Sequence, residues 1–224
     1  MKDLFIVANW KANKTQEDAI SWLLDFKNSY KENKSQNTNK TIVVCPPYPL
    51  IPIVANFITE NALPLHVGSQ DVSVFNTGAY TGEVPATTLE KFVEFCIIGH
   101  SERRQHFSEG FEILSEKVVN ALGVNILPIF CVQNEDTKIP NGITMVAYEP
   151  PSAIGTGNPE TPEDVEQIAK NIKEKNPDVT HILYGGSVTD QNVGGFVNTQ
   201  NIHGVLIGGG SLDSSEFIKI LQAC

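Results

Sequence analysis

The sequence has few cysteines, and none of them is spaced like a metal ligand. It contains four, with no Cys-x-x-Cys pair and no interleaved histidines, so neither a zinc site nor a disulfide framework is expected. Most lie in or beside apolar runs and should pack as small hydrophobic side chains in a reducing compartment. The four are Cys45, Cys96, Cys131 and Cys224.

Positive charge and long apolar runs are also scarce. Sixteen Lys and Arg residues against 26 Asp and Glu give a net charge of −10, which argues against a general surface for nucleic acid or anionic membranes. The apolar run at residues 4–8 is too short for a signal-peptide core, and no run approaches the roughly 20 residues of a membrane span. We therefore expect a cytoplasmic protein, in which an anionic substrate would need local positive potential.

Nucleotide-binding motifs, repeats and linkers are missing as well. There is no Walker A loop and no Gly-x-Gly-x-x-Gly after a strand, so no nucleotide cofactor is expected. No repeat or linker divides the 224 residues, whose 41% hydrophobic content is ordinary for a globular protein. We predict one domain, 1–224, that needs no cofactor.

The sequence does contain a regular alternation of short and longer patterns. The short runs are rich in β-branched residues and almost continuously apolar, as in parallel strands buried on both faces. Eight segments fit: 4–8, 41–45, 65–69, 95–99, 125–131, 143–148, 181–185 and 205–209. Helical patterns are clearest at 15–31, 50–61, 111–121, 162–175 and 213–221. This order predicts an α/β fold, a (β/α)8 barrel, with an open doubly wound sheet as the alternative.

Several of the helices have recognisable starts. Thr15 and Thr161 are expected N-cap residues followed by acids, and Pro162 takes a first helical position. Asp213 begins a segment with capping-box spacing. The polar segment 32–40 is expected to be the loosest connection.

One connection is too short for the pattern. Only residues 132–142 separate the predicted fifth and sixth strands, and Pro140, Asn141 and Gly142 occupy its end. A parallel crossover takes about a dozen residues, so at most one or two helical turns fit. We predict that the helix between strands 5 and 6 is missing or reduced to a short remnant. The outer face of these strands would then be poorly covered, unless a partner subunit or a shifted helix lies over it.

Motifs at the ends of several strands carry a resemblance to a known family. They are ANWK (8–11), GHSERR (99–104), AYEPPSAIGTG (147–157), YGGSV (184–188) and LIGGGSL (206–212). Together they closely resemble the triosephosphate isomerase family, nearly from end to end except between Cys131 and Ile143. Barrel enzymes have their active sites at the C-terminal ends of the strands, where these motifs fall.

Glu149 and His100 are the candidate catalytic residues. Glu149 ends a strand before a loop of prolines, small residues and glycines, which suits proton abstraction under a closing lid; alone, it would more simply be an acid in a loop salt bridge. His100 opens a polar segment, and a helix N-terminus there favours the neutral imidazole, which can donate to a carbonyl oxygen. The family that the chain resembles pairs a glutamate base with a neutral histidine in this way.

Lys11 and Asn9 end the first strand. The resemblance implies that Lys11 binds the substrate phosphate and stabilises negative charge, and that Asn9 donates a hydrogen bond. Lys11 would also supply the compact positive charge that this anionic protein needs at its pocket. Glu102 is expected as a partner of Lys11, with a mere surface ion pair as the alternative, and Cys131 is expected beside the glutamate base.

Backbone amides of glycine-bearing loops are the candidate phosphate ligands. Gly155 in the lid, Ser187 after strand 7, and Gly208 and Gly209 after strand 8 match phosphate-contacting positions of the family. Glycine lets backbone N–H groups approach an oxyanion closely, and phosphate sites after strands 7 and 8 recur among barrels. One glycine pair usually marks only a turn, but two pairs and a lid are stronger evidence.

The segment 78–83, GAYTGE, resembles a loop that inserts into the neighbouring subunit in this family. The resemblance implies a homodimer, possibly within a higher oligomer, in which Thr81 reaches toward the partner's Asn9 and the partner's Lys11. A glycine-rich surface turn is the alternative.

The chain departs from the family's pattern in a few places. Ser152 stands where the lid hinge usually carries tryptophan, which predicts altered lid kinetics without loss of chemistry. Gln133 and Asn134 replace a glycine and an acid after strand 5. The family's asparagine is replaced in the pair Gln70-Asp71, which we interpret as minor.

The resemblance implies a cofactor-free isomerase that interconverts dihydroxyacetone phosphate and D-glyceraldehyde 3-phosphate through an enediolate. One alternative is another sugar-phosphate isomerase or an aldolase, but Lys11 is the only strand-end lysine that could form a Schiff base. A second alternative is a non-catalytic barrel that binds phosphate without turnover.

Overall fold

The computed structural model describes residues 2–32, 39–153, 155 and 157–224, and their strands form a closed parallel barrel. Each strand pairs with the next, and the eighth closes against the first, with Ile6 opposite Val205. The strands are β1 Leu4–Asn9, β2 Lys40–Cys45, β3 His66–Ser69, β4 Phe95–Ile98, β5 Leu127–Val132, β6 Met145–Tyr148, β7 His181–Tyr184 and β8 Gly204–Ile207. The predicted barrel is confirmed and the open sheet is wrong. Most of the segment expected to be loose, 33–38, lies outside the described residues.

Helices surround the barrel. They are α1 Gln16–Glu32, α2 Ile51–Glu60, α3 Ala86–Leu89, α4 Ser101–Phe107, α5 Phe111–Leu122, α6 Pro162–Lys175, α7 Val193–Val197 and α8 Ser214–Ala223, with 3-10 turns at Tyr48–Leu50 and Gly209–Ser211. The predicted helix starts are confirmed, because the side chains of Thr15, Thr161 and Asp213 accept hydrogen bonds from backbone N–H groups of the first turns. None of the described helices is both long and apolar enough to cross a membrane.

The strands are almost continuously apolar because both of their faces are buried. In β1, Val7 joins a cluster inside the barrel with Val43 and Leu183, whereas Ile6 and Ala8 pack in the layer between barrel and helices. Side chains alternate along a strand, so one short run feeds both clusters. This two-sided burial holds the strand ends, where the polar motifs follow, in fixed positions.

The connection between β5 and β6 contains no helix. Residues 133–144 are all described and form only turns and bends, which confirms the predicted loss of the helix. The expectation that the outer face would be poorly covered is wrong. Phe130 and Val132 of β5 and Val146 and Tyr148 of β6 are all buried within the single chain.

Apolar residues of the connection itself provide part of this cover. Ile143 is buried in the outer core cluster, and Ile139 packs against that cluster. On the other side, the guanidinium of Arg104 lies 5.5 Å from the ring centre of Phe130. An extended segment therefore replaces a helix because a few well-placed side chains suffice to exclude water.

The neighbouring helices hold this segment at two points. The ammonium of Lys138 lies 3.9 Å from the ring centre of Phe111 in α5. Asp136 accepts a 2.6 Å hydrogen bond from Lys175 in α6. The connection is thus fixed between α5 and α6, where a helix would otherwise lie.

Candidate active site

The residues predicted from the sequence meet in one cavity at the C-terminal end of the barrel. The cavity has a volume of about 500 Å³. Its lining includes Asn9, Lys11, His100, Glu149, Gly155, Ser187, Gly208 and Gly209. Two lid residues, 154 and 156, lie outside the described part of the chain. The barrel therefore brings together side chains that are far apart in sequence.

Glu149 follows β6 and is 2% exposed. Its backbone N–H donates to the carbonyl of Val132, 2.8 Å away. This bond continues the parallel ladder between β5 and β6 by one residue and directs the side chain of Glu149 into the cavity. A methyl group added at Gly185 would lie 2.7 Å from Cγ of Glu149, so the absence of a side chain there makes room for the carboxylate. The end of β6 and the glycine of the neighbouring loop together set the position of Glu149.

The carboxylate of Glu149 lies among three groups that can donate hydrogen bonds. Its Oε1 lies 3.2 Å from Nε2 of His100, its Oε2 accepts from the backbone N–H of Ser101 at 3.1 Å, and the thiol of Cys131 also bonds to it. Burial raises the pKa of Glu149 above its ordinary value, and His100, Ser101 and Cys131 offset only part of that effect. A buried carboxylate with a raised pKa is a stronger base than one in water.

His100 is the N-cap residue of α4, and this position selects its tautomer. Its Nδ1 accepts a hydrogen bond from the backbone N–H of Glu102 at 3.2 Å. An accepting Nδ1 carries no proton, so in the neutral ring the proton lies on Nε2, the atom that faces Glu149. The imidazole can therefore donate to an oxygen atom in the cavity.

Lys11 adopts a left-handed backbone conformation, with φ of 51°. Oδ1 of Asn9 accepts from its backbone N–H at 3.0 Å, and its ammonium lies 2.5 Å from Oε1 of Glu102. A methyl group at Gly208 would approach Cε of Lys11 to 3.1 Å. Such a conformation is strained for a residue other than glycine and persists only where several contacts hold it, as they do here.

Gln70 is a residue of this site whose role sequence reasoning missed. Its side-chain amide donates to the carbonyls of Lys11 at 2.8 Å and of Cys45 at 2.9 Å. It thereby holds the strained backbone of Lys11 against β2. The only signal in the sequence was its place just after β3, next to the replaced asparagine.

Ser187 contacts both arms of the lid. Its hydroxyl donates to the carbonyl of Ala153 at 2.7 Å and accepts from the N–H of Gly157 at 3.1 Å. Gly155, between these contacts, has a φ of 66°, which other residues rarely adopt. The lid is thus attached to the loop after β7, and its glycines permit the turn.

The other predicted residues lie outside this cavity's lining. Glu102 supports Lys11, as expected. Burial opposes ionisation of Glu102, but the hydrogen bond from Lys11 and the proximity of His100 outweigh it, and the pKa of Glu102 is lowered. Cys131 is buried beside Glu149, and burial raises the pKa of its thiol. Thr81 is exposed on the surface loop, so its predicted role at a partner's site stays a prediction.

Asp71 takes part in a buried ion cluster that sequence reasoning also missed. Both of its oxygens contact the ammonium of Lys117, at 2.7 and 2.8 Å, and Arg103 lies 2.9 Å away. Glu109 completes the cluster, 2.6 Å from Lys117. The replacement of asparagine is therefore not minor, because Asp71 places a charge where two cations bind it. Among the described residues, no group of His, Cys, Asp or Glu side chains could hold a metal ion.

Comparison with known proteins identifies the family of this chain. A family model described as triosephosphate isomerase matches residues 4–145 and 140–224. The chain belongs to the triosephosphate isomerase family. The two matched segments overlap at residues 140–145, at the end of the connection that lacks a helix.

Triosephosphate isomerase relatives match over nearly their whole length. The relative from Mesomycoplasma hyorhinis is 37% identical, over 99% of this chain and 98% of its own. That from Dictyoglomus turgidum is 34% identical over 100% of both chains. That from Aquifex aeolicus is 32% identical, over 97% of this chain and 98% of its own. The similarity thus extends over barrel and lid alike.

Proposed function

We propose that this member of the triosephosphate isomerase family interconverts dihydroxyacetone phosphate and D-glyceraldehyde 3-phosphate, with Glu149 as the base. The observation that supports the role most directly is the contact of 3.2 Å between the buried carboxylate and Nε2 of a histidine whose Nδ1 accepts a hydrogen bond. A base and a neutral donor side by side suit proton transfer next to a carbonyl group.

Glu149 and His100 divide the chemistry between them. Glu149 takes a proton from the carbon beside the carbonyl, and the electron pair of the C–H bond moves onto the carbonyl oxygen to give an enediolate. Nε2–H of His100 donates to that oxygen, where negative charge develops. The hydroxyl proton of the first carbon passes to the oxygen of the former carbonyl, a transfer that Nε2 of His100 can carry out. Protonated Glu149 then returns its proton to the former carbonyl carbon, so no atom is gained or lost overall. The raised pKa of Glu149 brings it closer to the working pH, where a general base is most effective.

Lys11 supplies positive charge for the phosphate and the enediolate. Its side chain is 27% exposed and faces the cavity beside Gly208, while Glu102 holds its ammonium. Asn9 holds the backbone of Lys11 and lines the same cavity. A fixed ammonium is worth more here than a mobile surface lysine, because its position does not have to be set again in each turnover.

The phosphate ligands in this proposal are backbone amides of three loops. Gly155, Ser187, Gly208 and Gly209 line the cavity on the side of β7 and β8. The lid at 150–157 excludes water when it covers the substrate, and so protects the enediolate from phosphate elimination. Ser152 in its entry hinge alters the kinetics of the lid and leaves the chemistry intact.

We also propose a cytoplasmic homodimer formed through the loop 78–83. Thr81 is exposed, and the ring of Tyr80 in the same loop stacks on Phe75 at 4.1 Å with both rings partly exposed. An exposed aromatic pair on a surface loop suits a subunit contact. Light scattering of the purified protein that gives the 24.5 kDa of one chain would contradict the dimer.

The activity is tested with the wild type and with Glu149→Gln in an assay of triose-phosphate interconversion. Loss of the base should lower kcat by roughly 10²- to 10⁴-fold, and the substrate should still bind. A folded wild-type protein that binds phosphate and shows no turnover would contradict the proposal and favour the non-catalytic barrel.

A further inference from the structure

Glu160 lies just after the lid and contacts the two strands next to it. Its Oε2 accepts a hydrogen bond from the hydroxyl of Tyr148 at 2.9 Å, and its backbone N–H donates to the hydroxyl of Tyr184 at 3.0 Å. Tyr148 and Tyr184 are direct partners in the ladder between β6 and β7. We call these three residues the lid base. One residue thus joins the strand before the lid, the segment after it and the next strand.

The lid base lies directly behind the catalytic carboxylate. Tyr148 precedes Glu149, Tyr184 precedes Gly185, and the N–H of Gly185 donates to the carbonyl of Tyr148 at 2.8 Å. Side chains alternate along a strand, so the tyrosine rings point out of the barrel where Glu149 points into the cavity. Both rings are buried. A contact that holds the rings therefore also holds the backbone that directs Glu149.

The hydroxyl groups of the lid base stay protonated at neutral pH. Burial raises the pKa of Tyr148, and the hydrogen bond to Glu160 raises it further. Burial also raises the pKa of Tyr184. Tyr148 can then donate its hydroxyl proton to Oε2 of Glu160 at neutral pH.

We propose that Glu160 is a positioning residue, whose side chain holds the exit end of the lid on β6 through Tyr148 and thereby keeps Glu149 directed at the substrate. The inference rests on the proposed function. The lid then has two separate attachments. Ser187 contacts Ala153 and Gly157 within the lid, and Glu160 contacts Tyr148 from the segment just after it. Loss of Glu160 should leave the cavity and its charges in place while the lid opens more often and Glu149 is less well directed.

The test compares Glu160→Ala, Glu160→Gln and Tyr148→Phe with wild type. The alanine and phenylalanine variants should lower kcat by about 3- to 10-fold with little change in KM, and should release a larger fraction of product through phosphate elimination. The glutamine variant keeps an acceptor for Tyr148 and should recover most of the rate. The double variant Tyr148→Phe/Glu160→Ala should be no slower than either single one, because both remove the same contact. Glu163→Ala removes an exposed acid from the first turn of α6 and serves as the matched control.

Hydrogen exchange of the ligand-free protein gives a readout that does not depend on turnover. The amides of Ala153 and Gly157 should exchange about tenfold faster in Glu160→Ala, with barrel amides unchanged. An unchanged kcat and unchanged lid exchange, or a uniform loss of stability with normal kcat per folded molecule, would overturn the inference. Absence of turnover in wild type with faster lid exchange in the variant would instead contradict only the proposed function.

Discussion

Two buried groups of charged side chains share the short helix α4 and differ in how their charges are balanced. On one side, Arg103 faces the cluster of Asp71, Glu109 and Lys117, in which each carboxylate contacts two cations within 2.9 Å. On the other side, Glu149 lies 3.2 Å from Nε2 of His100 and accepts hydrogen bonds from the N–H of Ser101, at the start of the same helix, and from the thiol of Cys131. The segment GHSERR therefore contributes to a structural ion cluster and to the candidate active site at once.

The difference in partners sets the state of the carboxylates. Burial opposes ionisation of Glu109, but hydrogen bonds from Arg103 and Lys117 outweigh it and lower its pKa. Burial raises the pKa of Asp71, but its two-point contact with Lys117 identifies it as a carboxylate. The neighbours of Glu149 offset only part of the effect of burial, so its pKa stays raised. A balanced cluster holds elements together, whereas an unbalanced carboxylate remains reactive and reduces stability at neutral pH.

The largest effect on stability is expected from Lys117→Met. The change leaves Asp71 and Glu109 buried with Arg103 as the only cation in contact among the described residues. Breaking a buried pair in this way costs about 3–5 kcal/mol in the free energy of unfolding. Urea denaturation measures it. Lys170→Met is the matched control, because Lys170 is exposed and its ion pair with Glu174 is long, at 3.9 Å. This variant should change the free energy of unfolding little. Equal effects of the two variants would show that the cluster does not stabilise the fold.

The connection without a helix relies on apolar burial rather than on charge, and Ile143→Ala tests this. Ile143 belongs to the connection and is buried in the outer core, so truncation should lower the free energy of unfolding by about 2–4 kcal/mol. Val119→Ala, at an exposed position of α5, should change it by less than about 0.5 kcal/mol. A loss at Ile143 no larger than at Val119 would mean that the segment does not seal strands β5 and β6.

Glu149→Gln should stabilise the protein while it lowers kcat. The raised pKa of Glu149 favours the folded state below the ordinary carboxyl value of 4.5, and this contribution is lost as the pH rises through the raised pKa. At neutral pH the free energy of unfolding of the variant should therefore be about 0.5–2 kcal/mol higher than that of wild type. This difference between the two proteins should disappear below pH 4.5.

Glu109→Gln should show the opposite sign. The lowered pKa of Glu109 contributes stability above its ordinary value of 4.5, which is lost as the pH falls through the lowered pKa. This variant should be less stable than wild type at neutral pH, with a smaller difference in acid. Urea titrations of both variants across pH measure the change in the free energy of unfolding relative to wild type. A change of the same sign in both variants would remove the distinction between the two sites.

The smallest effect is expected from Asp136→Ala. Its ion pair with Lys175 is short, at 2.6 Å, but both side chains are at least half exposed. Such pairs contribute about 0–1 kcal/mol, and salt screens them. Denaturation at low and high salt should show a small loss only at low salt. A loss as large as that of Ile143→Ala would mean that charge, and not apolar burial, fixes the connection.

Much of the site could be predicted because its residues belong to contiguous motifs at strand ends. Glu149, His100 and Lys11 each follow a recognisable apolar run, and the barrel brings such ends to one edge. The role of Gln70 could not be predicted, since it depends on the carbonyl that the unusual φ of Lys11 presents. The cover of β5 and β6 was predicted wrongly because the length of the connection shows that a helix is absent, but not which side chains of an extended segment will fill the gap.

The sequence by itself determined the order of strands and helices, the helix starts, the missing fifth helix and the chemistry at the strand ends. These depend on local hydrophobic period, capping residues and short motifs, which act within a few residues of chain. Only the tertiary structure decided the ion cluster of Asp71 and Lys117, 46 residues apart, and the contact of Glu160 with Tyr148 and Tyr184. Such contacts require separate elements to be spaced correctly to within a few tenths of an ångström, and only the closed and packed barrel sets that spacing.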